Sequence, residues 1–342
     1  MQNPYILLIQ GDSSHKNHVL HPSPSMTKRI FVTGASGCIG HYLVEALIQQ
    51  TQHELFLLVR DVNKLKIDVT ARSGITVIQS DMNEIEQHRE LLKTIDCAIL
   101  AATAWGGDSV QAVNVDKNIE LLSMLDADRI EQVLYFSTAS ILDRQNQLLP
   151  EAMEIGNDYL KSKYLCCEKL EKLAIAPKIT KLFPTLVIGG GERYPYSAIT
   201  AGIPEVTKWA KLIRLFRADG SFHFIHGHDI GQVVRHYVDH PPAEKSIVLG
   251  NPKIMVNSAI EEMCDYLGCK PLLGIPLVWL ADVIIFLFRI QVGEWDRFAL
   301  RYRHFTHLNP VSPATFGMEN YCSTMEDVLK LSGVRKKPTQ LD

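Results

Sequence analysis

The sequence predicts an α/β protein: a doubly wound parallel sheet with a smaller, mostly helical C-terminal lobe. Three observations predict it. Short apolar runs of strand length alternate with amphipathic helical stretches over residues 30–136. The first run, Ile30-Phe31-Val32, stops at a glycine turn, and helical sequence follows at once from Ile39 to Gln49. Within the turn, Gly34, Gly37 and Gly40 are evenly spaced.

Strand, tight turn and helix in this order make the phosphate-binding start of a Rossmann-type dinucleotide fold. Gly34 permits the sharp turn, Gly37 leaves bare backbone for a pyrophosphate, and Gly40 lets the helix press on the strand. The helix start offers N–H groups and a positive dipole end. The candidate pyrophosphate contacts are therefore Gly34, Ser36, Gly37, Cys38, Ile39 and Gly40.

The remaining strands follow in order. Glu54 to Val59 is a continuous apolar run, as in a strand buried on both faces. It ends at Arg60-Asp61, where such a fold meets the adenosine ribose. A guanidinium there suits a 2′-phosphate, which favours NADP over NAD; the alternative is a solvated arginine at a strand end. Ile75 to Ile78 is the third strand, and Asp81-Met82 lies just beyond it. Asp81 is placed either to accept from an adenine amino group or to cap the following helix. Asp96 to Ala102 is the fourth strand, and Ala102 and Thr103 at its exit are small enough to admit a flat cofactor. Val110 to Leu125 reads as a helix, and Val133 to Phe136 as the fifth strand, which ends in Ser137-Thr138. Ligands of such sheets bind at the carboxyl ends of the strands, so Arg60, Asp81, Thr103 and Thr138 are expected on one crevice.

Tyr159 and Lys163 are four residues apart on a helix running from Asn157 to about Ala174, so they share a face. A nearby ammonium lowers a phenol's pKa, giving a proton donor and acceptor near neutral pH. The same lysine can hold ribose hydroxyls, and the Thr138 hydroxyl can bond a substrate oxygen as charge develops on it. The spacing recurs at Tyr266 and Lys270, but that copy contains Gly268 and runs into Pro271, as at a helix end.

These motifs together resemble the extended short-chain dehydrogenase/reductase superfamily, which includes nucleotide-sugar epimerases and dehydratases. They are Thr33 to Gly40, Asp81-Met82, Ser137-Thr138, Tyr159-x-x-x-Lys163 and Phe183-Pro-Thr-Leu-Val-Ile-Gly189, spanning residues 28 to about 270 in the expected order. The resemblance implies that Tyr159 is the catalytic acid/base, with Lys163 as its partner and ribose anchor. It also implies that Thr138 is the catalytic hydroxyl, that Asp81 binds adenine and that Pro184 abuts the nicotinamide. Three departures count. Dehydratases of the superfamily follow the threonine with Asp-Glu, whereas this chain has Ala139-Ser140, which argues against dehydration. Phe183 stands where many sugar-nucleotide enzymes have arginine, as in the dihydroflavonol and cinnamoyl-CoA reductase and 3β-hydroxysteroid dehydrogenase branch. Ile141-Leu142 replaces the usual Val-Tyr.

The expected function is thus an NADP(H)-dependent oxidoreductase interconverting a carbonyl and an alcohol on a small or hydrophobic substrate. One rival is an NAD-dependent nucleotide-sugar epimerase; another is a non-catalytic nucleotide-binding subunit. The expected domains are a dinucleotide-binding unit at 28–189, with 229–268 returning to it, and a substrate lobe from 190–228 and 269–342.

Composition bounds the rest. The chain has 342 residues, 46% of them hydrophobic, enough for a sizeable core. A net charge of −3 carries no nucleic-acid footprint. Seven cysteines with no Cys-x-x-Cys pair read as reduced thiols in the cytoplasm, with no zinc site. His223, His226 and His228 cluster, but no carboxylate or cysteine completes a metal set, so no metal is expected. Residues 1–27 read as a disordered extension with Met26 as an alternative start, and no signal peptide is recognisable. Leu272 to Ile290 is strongly apolar but contains Pro276, Asp282 and Arg289, which suits a helix packed on the lobe better than a membrane span. With Arg297, Arg301 and Arg303 following, the stretch 272–303 is also a candidate for peripheral membrane contact, a hydrophobic pocket wall or a homodimer contact.

Overall fold

Seven parallel strands form the central sheet of the computed structural model, which describes residues 27–338 except 273 and 277–292. The expected disordered extension and most of the apolar stretch 272–290 lie outside the described residues. The strands are β1 (Arg29–Thr33), β2 (Glu54–Val59), β3 (Ile75–Gln79), β4 (Cys97–Leu100), β5 (Gln132–Phe136), β6 (Ile179–Pro184) and β7 (Ser246–Leu249). Their spatial order is 3-2-1-4-5-6-7, and every neighbouring pair is parallel. The order reverses between β1 and β4, which opens a crevice at the carboxyl ends of those two strands. β4 stops short of its expected end because the chain beyond Leu100 is turned towards β1. There Ala101 N donates to Thr33 O (3.3 Å) and Ala102 N to Thr33 Oγ1 (3.2 Å).

Helices cover both faces, so the inner strands bury side chains on both sides and read as apolar runs, whereas β3 at the sheet edge stays half-exposed. One face packs α1 (Cys38–Gln50) and α4 (Gly227–Asp239) through Leu43, Leu47, Val233 and Val234. The other packs α2 (Lys117–Met124) and α3 (Asp158–Leu170) through Leu121, Leu160, Cys166 and Cys167. All seven cysteines are free thiols, and Cys166 and Cys167 are fully buried packing residues. The stretch expected as one helix from Val110 contains a π-helical turn at Ala112–Asp116 ahead of α2. α3 ends at Leu170, short of Ala174, because its last turn tightens into three-residue bonds such as Lys172 N to Lys169 O (3.1 Å).

The C-terminal half supplies the helices Ala198–Lys208, Val256–Tyr266 and Glu294–Tyr302, together with short strands at its base. Trp295, Phe298 and Tyr302, on one face of the Glu294–Tyr302 helix, pack inward on the core. Val311 returns to the sheet edge, donating to Val248 O (2.8 Å) and accepting from Gly250 N (2.9 Å). No helix among the described residues is long and apolar enough to cross a membrane.

Candidate active site

β1 delivers the chain to Gly34, whose φ is +73°, a conformation that side chains disfavour. A Cβ there would also lie 2.5 Å from the Ala101 carbonyl carbon. At Gly40, buried in the first turn of α1, a Cβ would strike the Gly34 carbonyl oxygen. Gly37 is different. It is exposed at the N-cap of α1, and a Cβ would meet only the Gly34 oxygen, at 3.3 Å. Two of the glycines therefore hold the turn against the sheet, and the third keeps its outer surface bare. The first turn of α1 has no acidic residue and no side-chain cap, so its amides at Cys38, Ile39 and Gly40 meet no competing anion. Burial pushes the Cys38 thiol up to about 12, which keeps it uncharged beside that positive end. The cradle fits a pyrophosphate group.

At the far end of the crevice, Arg60 leaves β2 with 79% of its side chain exposed, and its Nε lies 3.8 Å from Asp81 Oδ2. Asp81 Oδ1 accepts from Asn83 N (2.8 Å), capping the turn Met82–His88. The capping role of Asp81 is thus filled by one oxygen, leaving the other turned to Arg60. Met82 is buried in the core beside it.

Between these ends, Thr103 Oγ1 donates to Asn114 Oδ1 (3.1 Å), so its hydroxyl is held within the protein. Thr138 follows β5, and its Oγ1 accepts from Ser140 N (3.3 Å), starting the turn Ala139–Ile141. Tyr159 stands in the first turn of α3, which Asn157 caps by accepting from Leu160 N (3.0 Å). The Thr138 side chain adjoins the Tyr159 phenol and favours its ionised form, against the larger effect of burial. One turn on, Lys163 is 2% exposed, and its Nζ donates to Phe136 O (2.9 Å) and lies 5.2 Å from the Tyr135 ring centre. Pro184 is buried at the end of β6.

The electrostatics differ from the sequence expectation. Burial raises the Tyr159 phenol to about 12, and the neighbouring Thr138 only partly opposes this. Burial also lowers the Lys163 ammonium to about 8. The expected lowering of the phenol by the lysine is therefore corrected. Desolvation disfavours both charged forms and is the largest cause of each shift, and neither group is a cause of the other's. At neutral pH Tyr159 holds its proton.

A profile of the NAD dependent epimerase/dehydratase family matches residues 30–250. The chain belongs to this family. Solved structures of the extended short-chain dehydrogenase/reductase superfamily share its fold. WbmG of Bordetella bronchiseptica in complex with NAD is 16% identical, with 95% of this chain and 100% of that one covered and a TM-score of 0.61. dTDP-glucose 4,6-dehydratase of Bacillus anthracis in complex with NAD is 14% identical, with 90% and 97% covered and a TM-score of 0.61. The terminal R domain of the myxalamid PKS-NRPS pathway is 17% identical, with 91% and 86% covered and a TM-score of 0.61. No curated protein matches the chain in sequence.

Three features of this family member escape sequence reasoning. Asn114, fully buried in the π-helical turn, accepts from Ala104 N (2.8 Å) and donates to Ala104 O and Ser162 Oγ (both 2.9 Å). It ties the exit of β4 to α3, and an asparagine inside a predicted helix was the only available signal. Trp105, 70% exposed, stacks on Tyr159 at 4.5 Å between ring centres. A cavity of about 110 Å³ opens beside the Thr138 turn, lined by Ala139, Ser140, Leu186, Phe222, Phe305 and His307, with His223 behind.

The remaining sequence signals separate in space. His226 caps α4, accepting from His228 N (3.0 Å), whereas His223 Nδ1 bonds Asn251 O (2.7 Å). Among the described residues no three ligating side chains converge on a metal position. The Tyr266 hydroxyl donates to Val334 O (2.9 Å), far from the crevice in role, at the helix end its glycine foretold.

Proposed function

We propose that the protein is an NADP(H)-preferring oxidoreductase that interconverts a carbonyl and an alcohol, with Tyr159 as proton donor and acceptor. Tyr159 and Lys163, one turn apart on α3 with Thr138 adjoining the phenol, beside the bare glycine cradle, carry this reading. The bound dinucleotide supplies hydride chemistry at its nicotinamide. The amides around Gly37 would hold its pyrophosphate, the Lys163 ammonium would hold its ribose hydroxyls, and Pro184 would border the nicotinamide. In the reducing direction Thr138 bonds the substrate oxygen and Tyr159 gives that oxygen its proton. A phenol that stays protonated suits the acid role.

The pH dependence follows from the two shifts. Tyr159 near 12 stays neutral throughout the working range, so the first group to change is Lys163, which loses its charge above about 8. The reductive kcat/KM for the dinucleotide, which reports the free enzyme, is expected to be level below that point and to fall above it. A Lys163→Arg variant, charged at every accessible pH, is expected to lose that limb even at reduced activity.

Arg60 tests the cofactor. Its exposed pairing with Asp81 is weak, which leaves the guanidinium free for a 2′-phosphate. A fluorescence titration is expected to show NADPH binding about tenfold tighter than NADH, roughly 1.4 kcal/mol, with Arg60→Ala erasing the difference. The second reading, an NAD-dependent epimerase, is favoured by the Asp81 carboxylate, which offsets the charge of Arg60. That reading predicts equal binding of the two, or purified protein already carrying NAD.

A further inference from the structure

The cavity next to the Thr138 turn has apolar walls in Leu186, Phe222 and Phe305, and two histidines at one end. The hydrogen bonds fix what those histidines can do. His223 Nε2 accepts from His307 N (3.1 Å), so its proton sits on Nδ1, 2.7 Å from Asn251 O. His223 is thereby spent inside the protein. His307 Nδ1 lies 3.2 Å from Asp143 O, a pure acceptor, so Nδ1 carries the His307 proton. The other nitrogen, Nε2, keeps a lone pair and has no hydrogen-bond partner among the described residues. The two rings lie 5.9 Å apart, so a proton added to either would face the other. Burial and this neighbour push His307 down to about 4, and it is a neutral acceptor at pH 7.

The size is also informative. At about 110 Å³ the cavity is smaller than the closed apolar cavity of about 150 Å³ that admits benzene, so a single ring or a short branched chain is the largest group it would take, seated partly in the open mouth. Ala139 and Ser140, and Thr185 and Leu186, line it, and they directly follow Thr138 and Pro184 in the chain. Its contents would therefore adjoin the reacting carbonyl.

We propose that His307 determines substrate specificity: its Nε2 accepts a hydrogen bond from a hydroxyl or N–H on a one-ring apolar group seated in this cavity. Calling that group part of a substrate rests on the oxidoreductase reading; its binding does not. His307 is half-buried and its Nε2 is not among the buried unpartnered atoms, so water can pair it when the donor is missing. The discrimination expected is that of one exchanged hydrogen bond, about tenfold.

The test uses phenol and toluene, which match in shape and differ in the donor, titrated into the full chain and followed by ligand-observed NMR. The ratio of the toluene to the phenol Kd is expected to fall about tenfold in His307→Phe. It is expected to stay near wild type in His307→Gln, whose amide oxygen replaces the Nε2 lone pair. In the wild-type protein, phenol but not toluene is expected to shift the ¹⁵N resonance of His307 Nε2, a reading that needs no variant to fold. A ratio unchanged in His307→Phe, an unmoved Nε2 resonance or no binding of phenol would each overturn the proposal. Absence of turnover on every carbonyl tried would sink the oxidoreductase reading alone and leave these binding results standing.

Discussion

Tyr159→Phe is expected to bind the dinucleotide as the wild type does and to lose about 10²–10⁴-fold in kcat. The ring remains, so the stack on Trp105 at 4.5 Å is kept and α3 holds its place. What disappears is the hydroxyl that adjoins Thr138 and that would protonate the substrate oxygen. Thr138 still accepts from Ser140 N, so removing the neighbouring hydroxyl is expected to cost at most about 1 kcal/mol of stability. Steady-state kinetics on an identified carbonyl substrate, with a cofactor titration alongside, would check it. Wild-type kcat in the variant would remove Tyr159 from the mechanism.

Gly40→Ala and Gly37→Ala are expected to fail in opposite ways. At position 40 the added methyl would meet the Gly34 carbonyl oxygen and the Ala35 backbone, neither of which can move without displacing β1 or the turn. Overpacking against fixed backbone is expected to cost about 3 kcal/mol or more and to lower Tm by at least ~5 °C. At position 37 the methyl has only a 3.3 Å approach to one oxygen, and the backbone, with φ of −80°, accepts alanine. The Tm of Gly37→Ala is expected to stay within a few degrees of wild type. Its dinucleotide affinity is expected to fall at least tenfold, because the methyl occupies the surface left for phosphate. Thermal denaturation and a binding titration on the two variants separate the outcomes. A Gly37→Ala protein that binds normally would mean that phosphate does not approach that surface.

Different kinds of signal explain how much of this molecule was readable before its structure. β1, the glycine turn and α1 are local: three residues of apolar strand, a positive φ and a helix start follow from adjacent sequence. The strands β2, β4 and β5 announce themselves because burial leaves no polar alternation, whereas β3 at the sheet edge is only partly buried and β6 carries Thr180 and Lys181. Tyr159 and Lys163 share a face by helical geometry alone. Asp81 was readable as a cap because its partner, Asn83, is two residues away. The Asn114 network was not readable, since it joins residues 104, 114 and 162 across the fold. The same holds for His307, whose partners are residues 143 and 223.

The sequence by itself determined the sheet, the dinucleotide cradle and the identities of the Tyr, Lys and Thr that meet at its edge, because each depends on neighbours within a helix turn or a strand. Tertiary structure decided the charge states and the pocket. Tyr159 keeps its proton and Lys163 is poised near 8 because both are desolvated by packing, an effect that depends on what surrounds a group in space. The cavity likewise exists only where the Thr138 turn, the end of β6 and residues 222–223 and 305–307 are folded against one another.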